Sequence, residues 1–363
     1  MKKAVFTGAL LFVMLLGAVL PVMAEDYNFT HIADIINIVE KSGRFEPHVT
    51  YFDKKLETEK YVNELGHPNP NHIVTIENGK KTIVDYKPSA EAAALYEKAD
   101  GFSKSRKSKE AVALLKDGIK KGIKDFRLFL LLSCCSLESG SYKEACEYAD
   151  EALKLNSGCW QAYTIKGVAC FKLGDKVNSR ASFVNALIYN HNDTEAWKGL
   201  IALGGADNFS VDMSPFVPLY SLDKVSSGKV RVYFDDNDKT RWLPYAFCKA
   251  VWKYEPGYFE NRTGEKEYRL TPLEEMECLH GMIWAYGAFL KSGQFSKDPF
   301  MENLKKAERK MFLREYAYFN VLAPKNPEIT WTLDDKYLDD MRDFIGEFII
   351  KAGTSSADTT VKS

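Results

Sequence analysis

A 34-residue period runs three times without a gap from Ala92 to Asp193, and nothing else in the chain constrains its fold as tightly. Ser105-Arg106-Lys107, Ser139-Gly140-Ser141 and Leu173-Gly174-Asp175 fall into register. So do Phe102, Ser136 and Cys170 at the eleventh place, Ala111, Ala145 and Ser179 at the twentieth, and Gly118, Ala152 and Ala186 at the twenty-seventh. Each unit carries two helical patterns divided by one of those turns. A unit of this size cannot bury its apolar face alone. It stacks on its neighbours and leaves a concave surface.

In the third unit, Tyr163, Gly167, Gly174-Asp175, Phe183, Ala186 and Leu187 stand where the tetratricopeptide pattern has them. The second unit matches through Phe129, Leu132, Ser133, Gly140, Tyr142, Ala145, Ala152 and Leu153, the first through Ala99, Phe102, Glu110-Ala111 and Ile119. Residues 92–193 therefore resemble three tandem tetratricopeptide repeats, and Thr194 to Leu203, with Trp197, resembles the lone helix that caps such arrays. Two departures stand out. Arg106 replaces the turn glycine of the first unit, and Ile123, Ser157 and His191 replace the proline that usually ends each unit.

The resemblance implies an α-solenoid whose groove holds a protein or peptide partner. Its lining is the second, fifth, ninth and twelfth places of each first helix. These are Arg127, Leu130, Cys134 and Leu137 in the second repeat, and Gln161, Thr164, Val168 and Phe171 in the third. The first repeat is polar there, with Ala93, Tyr96, Asp100 and Ser103. Family members that clamp a partner's terminal carboxylate use Lys and Asn at the fifth and ninth places. The groove is instead apolar across the second and third repeats, so the expected occupant is an apolar helix or extended peptide. The alternative is that the chain's own flanks fill the groove, as Phe126 to Leu137 is apolar nearly all round.

Around the array, the expected fold class is mainly α with a small α+β unit at 25–91 and a mainly helical domain at 206–352. In the first of these, Ile32, Ile35, Ile36 and Val39 recur at helical spacing up to Ser42-Gly43. Residues 73–77 and 80–84 flank Asn78-Gly79, a type I′ hairpin signal that puts Thr75 opposite Thr82 and Glu77 opposite Lys80. The array with its cap occupies 92–205. Residues 1–24 have the form of a signal peptide: Lys2-Lys3, an apolar run from Ala4 to Leu20, then Val22-Met23-Ala24 ahead of Glu25. That form predicts export, periplasmic or secreted, from a bacterium, with no membrane span after cleavage. A disordered tail is expected at 353–363.

A net charge of −1 gives no electrostatic case for nucleic acid. Five of the seven cysteines, Cys134, Cys135, Cys146, Cys159 and Cys170, lie in the array. They are expected to pack as small apolar residues, with one disulfide as the alternative. For an enzyme or small-ligand site the 206–352 region offers one Glu-x-x-His, Glu277 and His280. Di-iron bundles need that pair twice. Glycine-rich phosphate loops, nucleophile elbows and HExxH motifs do not occur, so the sequence predicts no cofactor and no metal, and leans away from catalysis.

Overall fold

The computed structural model describes residues 28–353 apart from 226–227 and 292–296. The expected leader, and the expected tail beyond Gly353, lie outside the described residues. In chain order the elements are α1 (Ile32–Ser42), β1 (Phe45–Thr50), α2 (Lys54–Asn63), β2 (His72–Glu77), β3 (Lys80–Asp85), α3 (Ala90–Lys104) and α4 (Ser108–Lys120). Then come α5 (Phe126–Glu138), α6 (Tyr142–Leu155), α7 (Trp160–Lys172), α8 (Lys176–Tyr189), α9 (Thr194–Asp207), β4 (Phe209–Val211), β5 (Tyr220–Lys224) and β6 (Val230–Asp235). The last are α10 (Lys239–Tyr254), α11 (Tyr258–Thr263), α12 (Pro272–Lys291), α13 (Pro299–Arg309), α14 (Asp335–Phe344) and β7 (Ile350–Ala352), with short helical turns between.

The elements sort into two compact units, each drawn from two stretches of chain: Met1–Glu64 with Pro215–Val321, and Leu65–Ser214 with Leu322–Ser363. These limits differ from the boundaries at 91/92 and 205/206. Residues up to 64 separate from the hairpin that follows them, and residues from 322 separate from the C-terminal helices. Strand pairing is the cause in the first case. β1 runs parallel to β6, and β6 pairs antiparallel with β5, in the order β1-β6-β5. The sheet is therefore closed by a segment far away in sequence.

In the sheet unit, Val230, Val232 and Phe234 of β6 are buried, and β6 packs against α10. α1 buries Ile32, Ile35, Ile36 and Val39 and stops at Gly43, whose φ of 62° a helix C-terminus needs and only glycine adopts freely. α12 is enclosed along most of its length.

In the array unit, α3–α4, α5–α6 and α7–α8 are helical hairpins of tetratricopeptide type, with α9 stacked on the last. Close packing depends on small residues. Ala99, Ala111, Ala145, Ala149, Ala152, Ala162, Ala169, Ala186 and Ala196 are all fully enclosed. The Phe183 ring wedges between two helices that approach it through glycine: an added Cβ at Gly167 or Gly199 would lie 2.6 Å or 2.3 Å from that ring. The hairpin β2–β3 has the expected register, Thr75 opposite Thr82 and Glu77 opposite Lys80, and positive φ at both Asn78 and Gly79.

The three turns are alike in detail. Lys107, Ser141 and Asp175 donate their amides to Phe102, Ser136 and Cys170 carbonyls at 2.9, 2.8 and 2.9 Å. The residue between has φ of 78° at Gly140, 79° at Gly174 and 60° at Arg106. Arginine holds a left-handed conformation at the one turn that lost its glycine. That geometry costs an L-residue about 1–2 kcal/mol, and glycine's greater freedom in the unfolded chain returns part of it. Arg106→Gly should therefore stabilise the protein by about 1 kcal/mol, read as a higher denaturation midpoint in urea. An unchanged or lower midpoint would show the turn to be unstrained.

His191 occupies the place of the missing third proline. Its ring meets Trp197 edge-on at 5.6 Å, and burial pushes its pKa down to about 4. An unfolded histidine titrates near 6.5, so between those values the unfolded chain binds the extra proton and stability falls as pH drops. The loss should begin near pH 6.5 and flatten near pH 4. His191→Asn should make thermal unfolding less pH-dependent across that window.

Candidate functional site

The eight expected lining residues lie on α5 and α7, the first helices of the second and third hairpins, and are in unequal states. Leu130, Cys134, Leu137, Val168, Phe171 and Gln161 are half-buried on α5 and α7. Burial pushes the Cys134 thiol up to about 11, so it remains neutral and apolar in character. Thr164 is buried; its hydroxyl bonds the Asp193 carboxylate, which also caps α9 through the Glu195 and Ala196 amides at 3.0 and 3.3 Å. Its role is internal.

Arg127 is likewise committed. Its guanidinium lies 4.9 Å from the ring centroids of both Tyr86 and Tyr96, and it pairs with Asp125 at 3.5 Å. Tyr86 donates its hydroxyl to the same carboxylate, and Asp125 caps α5 through the Arg127 amide at 2.8 Å. Tyr86 follows the hairpin, so a flank of the chain closes the groove at the Arg127 end. The cation expected to set a partner's register is held by two tyrosines and an aspartate. What remains of the strip is Leu130, Cys134, Leu137, Val168 and Phe171, with Gln161 as its polar edge.

The flanks attach chiefly at the loops between repeats, a feature the sequence reading missed. Asn156 and Asn190 end α6 and α8 with matching extended backbones, φ −145° and −149°. Each side-chain carbonyl accepts the amide two residues on, Gly158 at 3.1 Å and Asn192 at 3.2 Å. Asn156 also accepts the Val74 amide of β2 at 3.2 Å, and Gly158 lets Val74 approach closely. Asn192 donates to the Gly66 and Pro324 carbonyls at 2.8 and 2.7 Å, tying both flanks to one loop. Beyond it, Thr330 and Trp331 donate to the Ile188 and Tyr189 carbonyls at 2.5 and 2.7 Å, and β7 pairs with β4. The signal was present: Asn156 and Asn190 repeat at the 34-residue period, where proline was sought one place later.

The second candidate lay in the sheet unit. Glu277 and His280 do not form a joint site. Glu277 accepts from Trp252 at 2.9 Å, Tyr258 at 2.6 Å, Arg262 at 2.7 Å and the Thr30 amide at 3.0 Å. His280 pairs with Glu308 at 2.6 Å. His72, in the array unit, meets Glu328 at 2.8 Å. Among the described residues no group of three or more His, Cys, Asp or Glu is placed to hold a metal.

The sheet unit does contain a buried charge cluster. The Lys249 ammonium lies 2.5 Å from Glu274 and 2.8 Å from Glu275. Tyr245 donates to Glu275 at 2.6 Å, and Tyr268 to Glu274 at 3.0 Å. Desolvation pulls the Lys249 pKa down, but Glu275 and Glu274 outweigh it and hold the ammonium charged. Burial, against the pull of Lys249, raises Glu274. With every member satisfied, this cluster is a structural brace between α10 and α12. Lys249→Met would strand two buried carboxylates and should cost about 3–5 kcal/mol. A loss below about 1 kcal/mol in urea denaturation would disprove the brace.

No family model matches the chain. It is similar to Hsp70-Hsp90 organizing protein 3 of Arabidopsis thaliana, with 23% identity over 171 residues, 46% of this chain and 29% of that one. The chain thus spans under a third of that relative's length. Among solved structures it is similar to the second TPR domain of human RPAP3 in complex with the HSP70 peptide SGPTIEEVD (21% identity, TM-score 0.30, covering 31% of this chain and 94% of that chain). It is also similar to the first TPR of Spaghetti (RPAP3) bound to the HSP90 peptide SRMEEVD (23%, TM-score 0.32, 32% and 94%). The Sgt2 TPR domain of Aspergillus fumigatus is a further likeness (15%, TM-score 0.31, 39% and 93%).

Proposed function

We propose that the chain is an exported, non-catalytic interaction protein that holds an apolar segment of a protein partner against the concave face of its repeats. One observation carries the proposal. The polar side chains of the groove, Arg127 and Thr164, are engaged within the fold by Asp125, two tyrosines and Asp193, while Leu130, Cys134, Leu137, Val168 and Phe171 form a half-buried apolar strip with room left to cover. Covering such a strip supplies several kcal/mol at about 25 cal/mol per Å2, before association costs. Gln161, at its border, offers the hydrogen bonds that fix a partner's register.

The peptides named with the RPAP3 domains end in Glu-Glu-Val-Asp. The fifth and ninth places here are Tyr96 and Asp100, Leu130 and Cys134, Thr164 and Val168. None is a cation, so a terminal carboxylate finds no charge-assisted partner.

Leu130→Glu and Val168→Glu should each abolish partner capture in a crosslinking pull-down from the exported fraction, with circular dichroism unchanged. SGPTIEEVD should not bind the wild type in a calorimetric titration up to about 1 mM, an affinity near −4 kcal/mol. Capture that survives both substitutions would remove the groove from consideration. Export itself is tested by N-terminal sequencing of the mature chain, expected to begin at Glu25.

A second reading, a structural protein whose groove is filled by its own flanks, draws on Tyr86 at the Arg127 end. It predicts that both glutamate substitutions unfold the chain.

A further inference from the structure

Six of the seven cysteines serve no purpose in the reading above, and two of them stand in a relation that packing does not require. Cys146, on α6, and Cys170, on α7, place their sulfurs 3.5 Å apart. The helices run antiparallel, and four residues on in one and back in the other Lys166 pairs with Asp150 at 2.6 Å. The thiols thus face each other in a register that a neighbouring ion pair also holds. Cys170 is buried, whereas Cys146 is half-exposed and open to a reagent from solvent.

We propose that Cys146 and Cys170 form a reversible disulfide that locks the second helical hairpin to the third. The oxidant is a small disulfide of the glutathione class. The Cys146 thiolate attacks one of its sulfurs, a mixed disulfide forms, and one glutathione thiolate leaves. Cys170 then gives up its proton to solvent and attacks the Cys146 sulfur, and the second glutathione leaves. Two protein thiols are oxidised to one disulfide, and one glutathione disulfide is reduced to two thiols. A shift of about 1.5 Å brings the sulfurs from 3.5 Å to bonding distance.

The environment sets the order and the pace. Burial raises both thiols, Cys170 to about 12, while the Lys166 charge favours both thiolates. Exchange is therefore slow and begins at Cys146. The second close pair, Cys248 and Cys278, lies wholly inside the sheet unit with no exposed member to start the reaction. A crosslink between α6 and α7 fixes the spacing between the strips on α5 and α7, and so makes the groove rigid.

The test equilibrates the full mature chain with oxidised glutathione, quenches it in acid and maps the peptides by mass. The wild type should yield one crosslinked peptide pair joining Cys146 to Cys170, and dithiothreitol should reverse it. Cys170→Ser should stop with one glutathione on Cys146, and Cys146→Ser should carry none on Cys170. Amide exchange in α6 and α7 should slow at least tenfold on oxidation. Both cysteines recovered as free thiols, or a crosslink mapping instead to Cys134–Cys135 or Cys248–Cys278, would overturn the assignment. A Cys146–Cys170 bond with unchanged exchange would overturn the lock. The wild-type map decides the pairing even if a serine variant fails to fold.

Discussion

A helical hairpin about thirty residues long cannot cover its own apolar face, and everything in the array unit answers that constraint. The answer is contact through small side chains. Alanines buried to zero exposure stand where the helices cross, and Gly167 and Gly199 admit the Phe183 ring. Even the polar residues at these crossings serve the approach. Ser133 and Ser179, one at the eighth and one at the twentieth place of a repeat, turn their buried hydroxyls onto the Ala145 and Gly167 carbonyls at 2.6 and 2.9 Å. Both bonds bridge the two helices of one hairpin. A buried hydroxyl left without such a partner would cost about 1–3 kcal/mol.

Stacking satisfies the middle of an array and leaves its margins open. Here the open margin at the inter-repeat loops is met by the chain itself, through Val74, Tyr86, Pro324, Thr330 and Trp331. The same economy consumes the groove's polar groups, since Asp125 and Asp193 cap helices while binding Tyr86 and Thr164. An apolar strip survives because it has no hydrogen-bonding demand that the fold must meet first. Recognition by such a strip depends on shape and buried area, and carries less orientation than a charged clamp would.

Local patterns were legible in the sequence, and pairings between distant segments were not. Gly43, Asn78-Gly79 and the glycine turns at Gly140 and Gly174 each announce a backbone conformation that few residues tolerate, and each appears where its residues predict. The 34-residue period gave the helical hairpins for the same reason. β1 gave no sign of its partner. Phe45 to Thr50, with Pro47 inside, has no clean alternation, and β6 comes after the whole array in sequence. The states of Arg127 and Thr164 were hidden too, because a groove position shows which way a side chain points and not what reaches it.

The two units are each discontinuous, and this changes what a fragment of the chain can be. Residues 65–214 interrupt the sheet unit, and residues 215–321 interrupt the array unit. Joining segments so far apart is inexpensive, since closure entropy grows only with the logarithm of the loop, about 0.6 kcal/mol per doubling. The expense falls on truncation. A fragment cut at 92–205 lacks Tyr86, Val74 and Trp331, so Asp125 and Asn156 each lose one partner and the Tyr189 carbonyl loses the Trp331 indole. A fragment starting at 206 lacks β1 and exposes one edge of β6, whose unpaired backbone invites association. Aggregation of either piece would thus report a missing segment and carry no information about what the groove holds.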